Sequence, residues 1–341
     1  IRACRELGIK TVAIHSTADA DSLHVRLADE SLCIGEAASR DSYLKKPSVI
    51  SAAEITGAEA IHPGYGFLAE DGNFVEMCEA SGIDFIGPNA KTINIMGDKV
   101  RARALAESVN CPTTPGSKDA ISDSETLKKM AQEIGFPVII KAAAGGGGRG
   151  MRIVHSMSGL VTAFETARAE AEACFGDDTV FVEKFIEGPR HIEVQLIGDK
   201  HGNVLHLGDR DCSIQRRNQK LIEEAPATGL PEGLRKEMHD AAVRVAKGVG
   251  YYSAGTIEFL VDAHNNFYFM EMNTRLQVEH PVTEMITGVD LVKEMIQVSY
   301  GKKLEKTQDQ IEFKGHAIEC RINAEDPETF IPSPGTITAY H

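Results

Sequence analysis

Tryptophan is absent from the 341-residue chain, and the other aromatic side chains are scarce, with 13 Phe and 7 Tyr. Stacking platforms for single-stranded nucleic acid are therefore poorly supplied. Positive charge is also in deficit, since 36 Lys and Arg stand against 50 Asp and Glu, for a formal net charge of −14. A protein that coats nucleic acid needs the opposite balance. Both shortages argue against nucleic acid as a partner.

Long apolar runs and metal-type cysteine pairs are missing as well. No stretch approaches the roughly 20 consecutive apolar residues that cross a bilayer, so we expect no membrane association. The seven cysteines are scattered without a C-x-x-C pair, which is typical of a reducing compartment and predicts a cytoplasmic protein. The chain does have 42% apolar and 25% charged residues, enough to form large cores in two or three domains.

Strand and helix patterns divide the chain into four parts. Residues 1–87 alternate short β-branched runs with helical patterns, which predicts a doubly wound parallel sheet whose first strand is missing. One linker helix is predicted within 88–113. Residues 114–185 predict a small lid domain with a glycine-rich loop, and 186–341 predict a domain with an antiparallel sheet, truncated at its C-terminal end.

The run Gly145–Gly150 satisfies G-x-G-x-x-G, but the residues that follow it, Met151–His155, have the composition of a strand. A dinucleotide fingerprint requires a helix there, and a Walker A loop requires Lys-Ser or Lys-Thr after the last glycine. The run therefore suits a hairpin tip that closes over phosphates, with Lys141 and Arg149 supplying positive charge. A flexible surface loop is the alternative that the glycines alone leave open.

The predicted hairpin 256–272 places two glutamates opposite each other. With the turn centred at 264–265, Glu258 pairs with Glu271, and like charges at that spacing destabilise a sheet. Asn273 points the same way two residues further on. Two carboxylates and an amide oxygen are ligands that Mg²⁺ or Mn²⁺ prefers. Two solvated glutamates on an exposed face are the alternative.

The run after this hairpin alternates polar and apolar residues. If it is extended, Arg275, Gln277 and Glu279 lie on one side. A guanidinium can hold a small planar oxyanion, and a carboxylate beside it can remove a proton, which suits bicarbonate. A surface strand with a weak ion pair is the alternative. The basic run 216–220, in the predicted loop after Cys212, is equally compatible with a solvated surface.

Taken together, these residues resemble the biotin carboxylase family, the ATP-grasp enzymes of biotin-dependent carboxylases. The likeness covers nearly the whole chain and looks closest to the bacterial acetyl-CoA carboxylase subunit. The segments that carry it are 62–67, 96–99, the strand and glycine loop after Lys141, 183–184, 215–220, 258 with 271, 271–281 and 315–323. By comparison with the family, residues are expected to be missing at both ends.

The resemblance implies a fold and an activity. The fold is ATP-grasp, combining α/β and α+β parts: a doubly wound N-terminal domain, a small mobile lid domain and an antiparallel-sheet C-terminal domain. The activity is ATP-dependent carboxylation of biotin by bicarbonate through carboxyphosphate, the first half-reaction of acetyl-CoA carboxylase. Implied partners are a biotin carboxyl carrier protein, a carboxyltransferase component and, for the full-length protein, a second copy of the chain in a homodimer.

The resemblance also implies a role for individual residues. ATP phosphates and ribose would contact Lys99, Lys141, Gly147, Gly148 and His191. The adenine would contact Glu183, Lys184 and Ile186. Gln215 and Asn218 would also lie at the nucleotide, although Asn218 stands where many relatives carry His, and Ala144 replaces one glycine of the loop.

The remaining implied roles concern the metal, bicarbonate and biotin. Mg²⁺ or Mn²⁺ would be held by Glu258, Glu271 and Asn273. Bicarbonate would be bound by Lys220, Arg275, Gln277 and the amide of Val278. Glu279 would be the general base, Arg321 would stabilise carboxyphosphate and the biotin enolate, and Tyr65 would pack near biotin.

Two other functions stay open at this point. One is another ATP-grasp ligase, such as a carbamoyl-phosphate-type synthetase, whose ATP turnover would respond to an amine rather than to biotin. The other is a non-catalytic ATP-binding module, which would bind ATP tightly without bicarbonate-stimulated hydrolysis. Both would share the nucleotide site but not the biotin end.

Overall fold

A computed structural model describes residues 1–117, 119–142 and 151–335 of the chain. The glycine loop, with Gly147 and Gly148, lies outside these described residues. Within them, the predicted domain boundaries after residues 87, 113 and 185 all fall between helices and strands. The boundaries themselves stay predictions.

The N-terminal part consists of short strands and helices in alternation. Its elements are α1 (Arg2–Glu6), β1 (Val12–Ser16), α2 (Leu23–Leu27), β2 (Glu30–Gly35), α3 (Lys46–Thr56), β3 (Ala60–Ile61), α4 (Gly72–Ala80) and β4 (Asp84–Phe85). Strand β1 pairs with β2 and strand β3 with β4, and both pairs are parallel. The predicted parallel pairing is confirmed, although in the described ranges it forms two separate pairs of strands. Phe74 and Val75 of α4 pack into the core between these elements.

The linker contains two helices instead of one. These are α5 (Ala90–Gly97) and α6 (Lys99–Ser108). Asp98 lies between them in an extended conformation, and its Oδ1 accepts hydrogen bonds from the amides of Val100 and Arg101. An aspartate in this position satisfies free amides at the start of a new helix. The prediction of a single linker helix is therefore wrong.

The lid part is a three-stranded antiparallel sheet covered by two helices. Its elements are α7 (Ser124–Ile134), β5 (Val138–Ala142), β6 (Met151–Val154), α8 (Met157–Phe175) and β7 (Val180–Lys184). The strand order is β6-β5-β7. Leu127 of α7 and Leu160 of α8 are fully buried against Ile140 of the central strand. The sheet therefore fixes Lys141, just before the glycine loop, next to β7.

The rest of the described chain is built on a six-stranded antiparallel sheet with the order β12-β11-β8-β9-β10-β13. Its elements are β8 (Arg190–Gly198), β9 (Val204–Arg216), β10 (Gln219–Ala225), α9 (Glu232–Val249), β11 (Ser253–Val261), β12 (Phe267–Asn273), α10 (His280–Thr287), α11 (Leu291–Ser299) and β13 (Ala317–Cys320). The antiparallel sheet is confirmed. Ile192 and Val194 of β8 pack with Met238 and Ala242 of α9 in the largest core.

The predicted loop after Cys212 is wrong, because strand β9 continues through it to Arg216. A tight hairpin follows, in which Arg217 and Asn218 have φ of 50° and 64°. Positive φ at both central residues is the conformation of the two-residue hairpin turn that matches strand twist. Lys220 therefore stands on a strand. The polar composition that predicted a loop belongs to side chains that line a buried site.

The register of the β11–β12 hairpin confirms one prediction and corrects another. Glu258 pairs with Glu271 as expected, but nearer the turn Val261 pairs with Phe267. The register therefore shifts by one residue, and the turn is centred on His264 instead of at 264–265. Met270 is the extra residue of this bulge.

None of the helices in the described ranges is both long and apolar enough to span a membrane.

Candidate active site

Lys220, at the start of β10, holds three carboxylates together. Its Nζ donates hydrogen bonds to Glu193 Oε2 at 2.6 Å, Glu279 Oε1 at 2.7 Å and Glu258 Oε1 at 2.9 Å. An ammonium has three donors, and all are used. Burial alone would lower the pKa of Lys220, but the attraction of Glu193 and Glu258 raises it above its ordinary value. Lys220 is therefore a fixed positive charge.

Arg210, on β9, is a second centre of the site and is completely buried. Its Nε donates to Glu193, so this carboxylate is shared with Lys220. All five N–H donors of the guanidinium find an acceptor. The acceptors are side-chain oxygens of Glu193, Gln195, Thr256, Gln277 and Thr283.

Gln277 and Glu279 enter the same site from the segment after β12. Gln277 Oε1 accepts from Arg210 at 2.9 Å, so its Nε2 donates to Glu258 Oε1 at 2.9 Å. Glu279 is the residue before α10, a helix that begins with a proline in its first turn. The run 275–279 does not form the extended strand on which its alternation would depend, because no strand lies between Asn273 and α10. Its two buried polar residues nevertheless converge as predicted.

A row of three glutamates crosses the sheet from β8 to β12. Glu193 pairs with Glu258, and Glu258 pairs with Glu271. Burial raises the pKa of Glu258, but His191 and Lys220 lower it overall. The pKa of Glu271 is raised by desolvation in its cleft and by the charge of Glu258. The repulsion between Glu258 and Glu271 that the sequence predicts is therefore compensated at Glu258, by His191 and Lys220, but not at Glu271.

The predicted metal ligands lie together at this end of the row. Asn273 Nδ2 donates to Glu258 Oε1 at 2.9 Å. No hydrogen bond to the Glu271 carboxylate comes from any described residue, and the amide oxygen of Asn273 keeps a lone pair beyond the one that Arg275 uses. A hard divalent cation prefers such oxygen ligands. The residues fit Mg²⁺ or Mn²⁺.

A cleft of about 320 Å³ opens beside these ligands. Lys99, Glu271, Asn273 and Arg275 all line it. Arg275 Nη2 donates to Asn273 Oδ1 at 3.0 Å, and its Nε donates to Glu70 Oε2 at 2.8 Å. The predicted bicarbonate arginine is therefore linked to the predicted metal ligands through Asn273 and anchored by a carboxylate from the N-terminal part.

Arg321, just after β13, approaches the site from its other side. Its Nη2 donates to Glu279 Oε2 at 2.8 Å, and its Nε donates to Glu223 Oε1 at 2.6 Å. Glu279 therefore has one oxygen on Lys220 and the other on Arg321. All four residues predicted to be catalytic, Lys220, Arg275, Glu279 and Arg321, belong to one connected network.

Several predicted nucleotide residues form pairs next to this network. His191 Nε2 lies 2.9 Å from Glu258 Oε2, and its Nδ1 lies 2.9 Å from Gln215 Nε2. In the lid sheet, Lys141 Nζ donates to Glu183 Oε2 at 2.6 Å. Lys184 Nζ donates to backbone carbonyls of the segment before β5.

Other predicted residues stand apart from these hydrogen bonds. Ile186 is buried after β7, and Val278 is half-buried between Gln277 and Glu279. Asn218 is exposed at the hairpin turn, and Tyr65 is 56% exposed in the loop after β3. Within the described ranges, neither of these two side chains bonds to the network.

Sequence reasoning missed four charged residues of the site: Glu70, Glu193, Arg210 and Glu223. A signal existed for Glu193, because polar residues alternate at 191, 193 and 195 on a strand expected to pair with another. Arg210 and Glu223 gave no signal, since they lie at the ends of a stretch whose polarity predicts a loop. Glu70 is brought near by the packing of the N-terminal part.

Comparison with family models divides the chain in two. Residues 1–93 match the biotin carboxylase N-terminal domain. Residues 98–307 match the carbamoyl-phosphate synthase L chain ATP-binding domain.

Curated relatives and solved structures match the whole chain. Biotin carboxylase of Pseudomonas aeruginosa is 56% identical over 100% of the chain and 76% of its own length. The chloroplastic enzyme of Arabidopsis thaliana is 56% identical, over 100% of the chain and 64% of its own length. A Campylobacter jejuni biotin carboxylase–β,γ-ATP complex has a TM-score of 0.93 at 54% identity, with 100% of this chain and 76% of that one covered.

A Hydrogenobacter thermophilus biotin carboxylase domain dimer, from 2-oxoglutarate carboxylase, was solved with MgADP, ADP and bicarbonate. The match has a TM-score of 0.91 at 53% identity, and it covers 100% of this chain and 75% of the Hydrogenobacter thermophilus chain. Its fold therefore matches the six-stranded sheet and the parts around it. The chain belongs to the biotin carboxylase family of ATP-grasp ligases.

Proposed function

We propose that this chain uses ATP and bicarbonate to carboxylate biotin on a biotin carboxyl carrier protein, through carboxyphosphate. The observation that carries the proposal is the network around Lys220. It joins the candidate base Glu279 to the metal ligand Glu258 by two hydrogen bonds to one ammonium. The complexes of related enzymes with β,γ-ATP, MgADP and bicarbonate support the same substrates here.

The nucleotide would lie between the lid and the six-stranded sheet. Lys99, Lys141 and His191 would neutralise or bind its phosphates and ribose, together with Gly147 and Gly148 of the loop outside the described residues. The adenine side would be formed by Glu183, Lys184, Ile186, Gln215 and Asn218. Glu258, Glu271 and Asn273 would hold Mg²⁺ or Mn²⁺, which supplies positive charge to the phosphates when bound.

Bicarbonate would bind where Lys220, Arg275, Gln277 and the Val278 amide converge. Glu279 would remove its proton, and the bicarbonate oxygen would then attack the γ-phosphorus in line to give carboxyphosphate. Both oxygens of Glu279 accept a hydrogen bond from a cation. Each oxygen has a second lone pair, which could accept the proton of bicarbonate.

Biotin would receive CO₂ released from carboxyphosphate, after phosphate takes the proton from its ureido nitrogen. Arg321 would stabilise the carboxyphosphate and the biotin enolate, and Tyr65 would pack near biotin. Lid closure would exclude water. A carrier protein, a carboxyltransferase component, a homodimer and a cytoplasmic location complete the proposal, which the dimer of a related domain supports in part.

The test is a Glu279→Gln variant of the full-length enzyme, assayed for bicarbonate-dependent ADP release with free biotin. We expect a loss of roughly 100-fold or more, because removal of a general base costs about that much. Glu284→Gln is a matched control on α10, the helix that follows Glu279, since Glu284 accepts its hydrogen bond from the amide of Leu291 and a glutamine can do the same. Unchanged turnover in Glu279→Gln would remove the assignment of the base. Turnover that responds to an amine but not to biotin would contradict the proposed function.

A further inference from the structure

Glu223 is a buried carboxylate with no role in the proposed reaction. It lies on β10 opposite Glu319 of β13, and its side chain is 0% exposed. Oε1 accepts the hydrogen bond from Arg321 Nε at 2.6 Å. Oε2 is buried and has no partner among the described residues. Because buried polar atoms are normally paired, this arrangement requires an explanation.

The role of this carboxylate follows from its paired oxygen, Oε1, and from how Arg321 is shared. Glu223 holds Nε, the nitrogen next to the aliphatic part of the side chain, while Glu279 holds Nη2 at the far end. A bond at Nε fixes the position of the guanidinium. The far end can still exchange one acceptor for another, because Arg321 is 26% exposed on its side chain.

We propose that Glu223 is a positioning residue, which anchors Arg321 beside Glu279 while the far end of the guanidinium leaves the base for substrate. This inference rests on the proposed function and adds a residue to which that proposal gives no role. The pKa of Glu223 is raised by its burial, against the opposing effect of Arg321. That balance agrees with a carboxylate held by one cation only.

The experiment compares Glu223→Ala with Glu223→Gln in the full-length enzyme. Alanine removes the anchor, so we expect kcat to fall roughly 10- to 100-fold with KM for ATP unchanged. Glutamine still accepts from Nε, so kcat should stay within about threefold. Glu319→Gln, which removes the opposite carboxylate but no bond to Arg321, should leave kcat unchanged.

Three results would overturn the inference: a wild-type kcat in Glu223→Ala, a KM for ATP in that variant that rises by as large a factor as kcat falls, or a kcat in Glu223→Gln as low as in Glu223→Ala. If Glu223→Ala does not fold, Glu223→Leu decides, because leucine fills a similar volume and accepts no hydrogen bond from Arg321 Nε. Failure of the proposed function has a different signature. If the proposed function fails, Glu279→Gln would turn over normally. If only the inference about Glu223 fails, Glu279→Gln would be inactive while the Glu223 variants behave as wild type.

Discussion

Replacing Arg210 by methionine removes a buried cation from five oxygen acceptors and keeps a long side chain in its place. Breaking a buried ion pair costs about 3–5 kcal/mol. Here the lower end applies, because Glu193 keeps its bond to Lys220 at 2.6 Å. Each of the four neutral acceptors also loses its donor, which costs at most about 1 kcal/mol per acceptor. The cost is smaller where a hydroxyl or an amide can rotate towards another partner.

We therefore expect Arg210→Met to lower the free energy of unfolding by about 4–6 kcal/mol, a large share of the roughly 5–15 kcal/mol of a typical native protein. Arg210→Lys keeps the charge and three of the five donors. Its expected loss is about 2–3 kcal/mol, since two acceptors remain unsatisfied.

Urea unfolding followed by far-ultraviolet circular dichroism measures both variants. The matched control is Lys236→Met, which breaks a pair with Asp240 whose side chains are 74% and 51% exposed. That change should cost less than about 0.5 kcal/mol. An Arg210→Met protein within about 1 kcal/mol of the wild type would refute the reasoning, and so would a lysine variant as unstable as the methionine variant.

Two further predictions concern pH and metal. The ring of His206 lies against that of His239, with centroids 4.2 Å apart, and burial lowers the pKa of His206 to about 4. The contribution of neutral His206 to the free energy of unfolding is present above the ordinary pKa of 6.5 and is lost as pH falls towards 4. In His206→Gln, the free energy of unfolding should therefore fall by about 2–3 kcal/mol less over this pH range. Urea titrations at several pH values measure the difference. An equally steep decline would contradict this. Glu271→Gln should raise the Mg²⁺ concentration for half-maximal activity roughly tenfold or more, because it removes one of two carboxylate ligands. If Glu271→Gln needs the same Mg²⁺ concentration as the wild type for half-maximal activity, Glu271 is not a ligand.

The paired glutamates and the parallel strands could be predicted because they depend on local periodicity. Glu258 and Glu271 follow from alternation along two strands and a short turn. Arg210 could not be predicted in the same way. Its stretch of chain is as polar as a loop, and polarity alone does not tell whether a side chain faces solvent or a buried partner.

The error in the linker has a definite cause. It depends on one residue that interrupts a regular helical pattern. Asp98 starts a second helix by capping it. Such a break is decided by the hydrogen bonds of a single side chain, to which a periodic pattern is insensitive.

The bulge at Met270 lets two parts of β12 present side chains to the same core. Pairs on the turn side and pairs beyond the bulge follow registers that differ by one residue. Phe267 and Phe269 on the turn side and Met272 beyond it therefore all pack in the largest core. Without the extra residue, strand alternation would turn the two phenylalanines to the opposite face whenever Glu258 and Glu271 are paired. The one-residue excess is thus what allows the paired acids and the aromatic core to coexist on this hairpin.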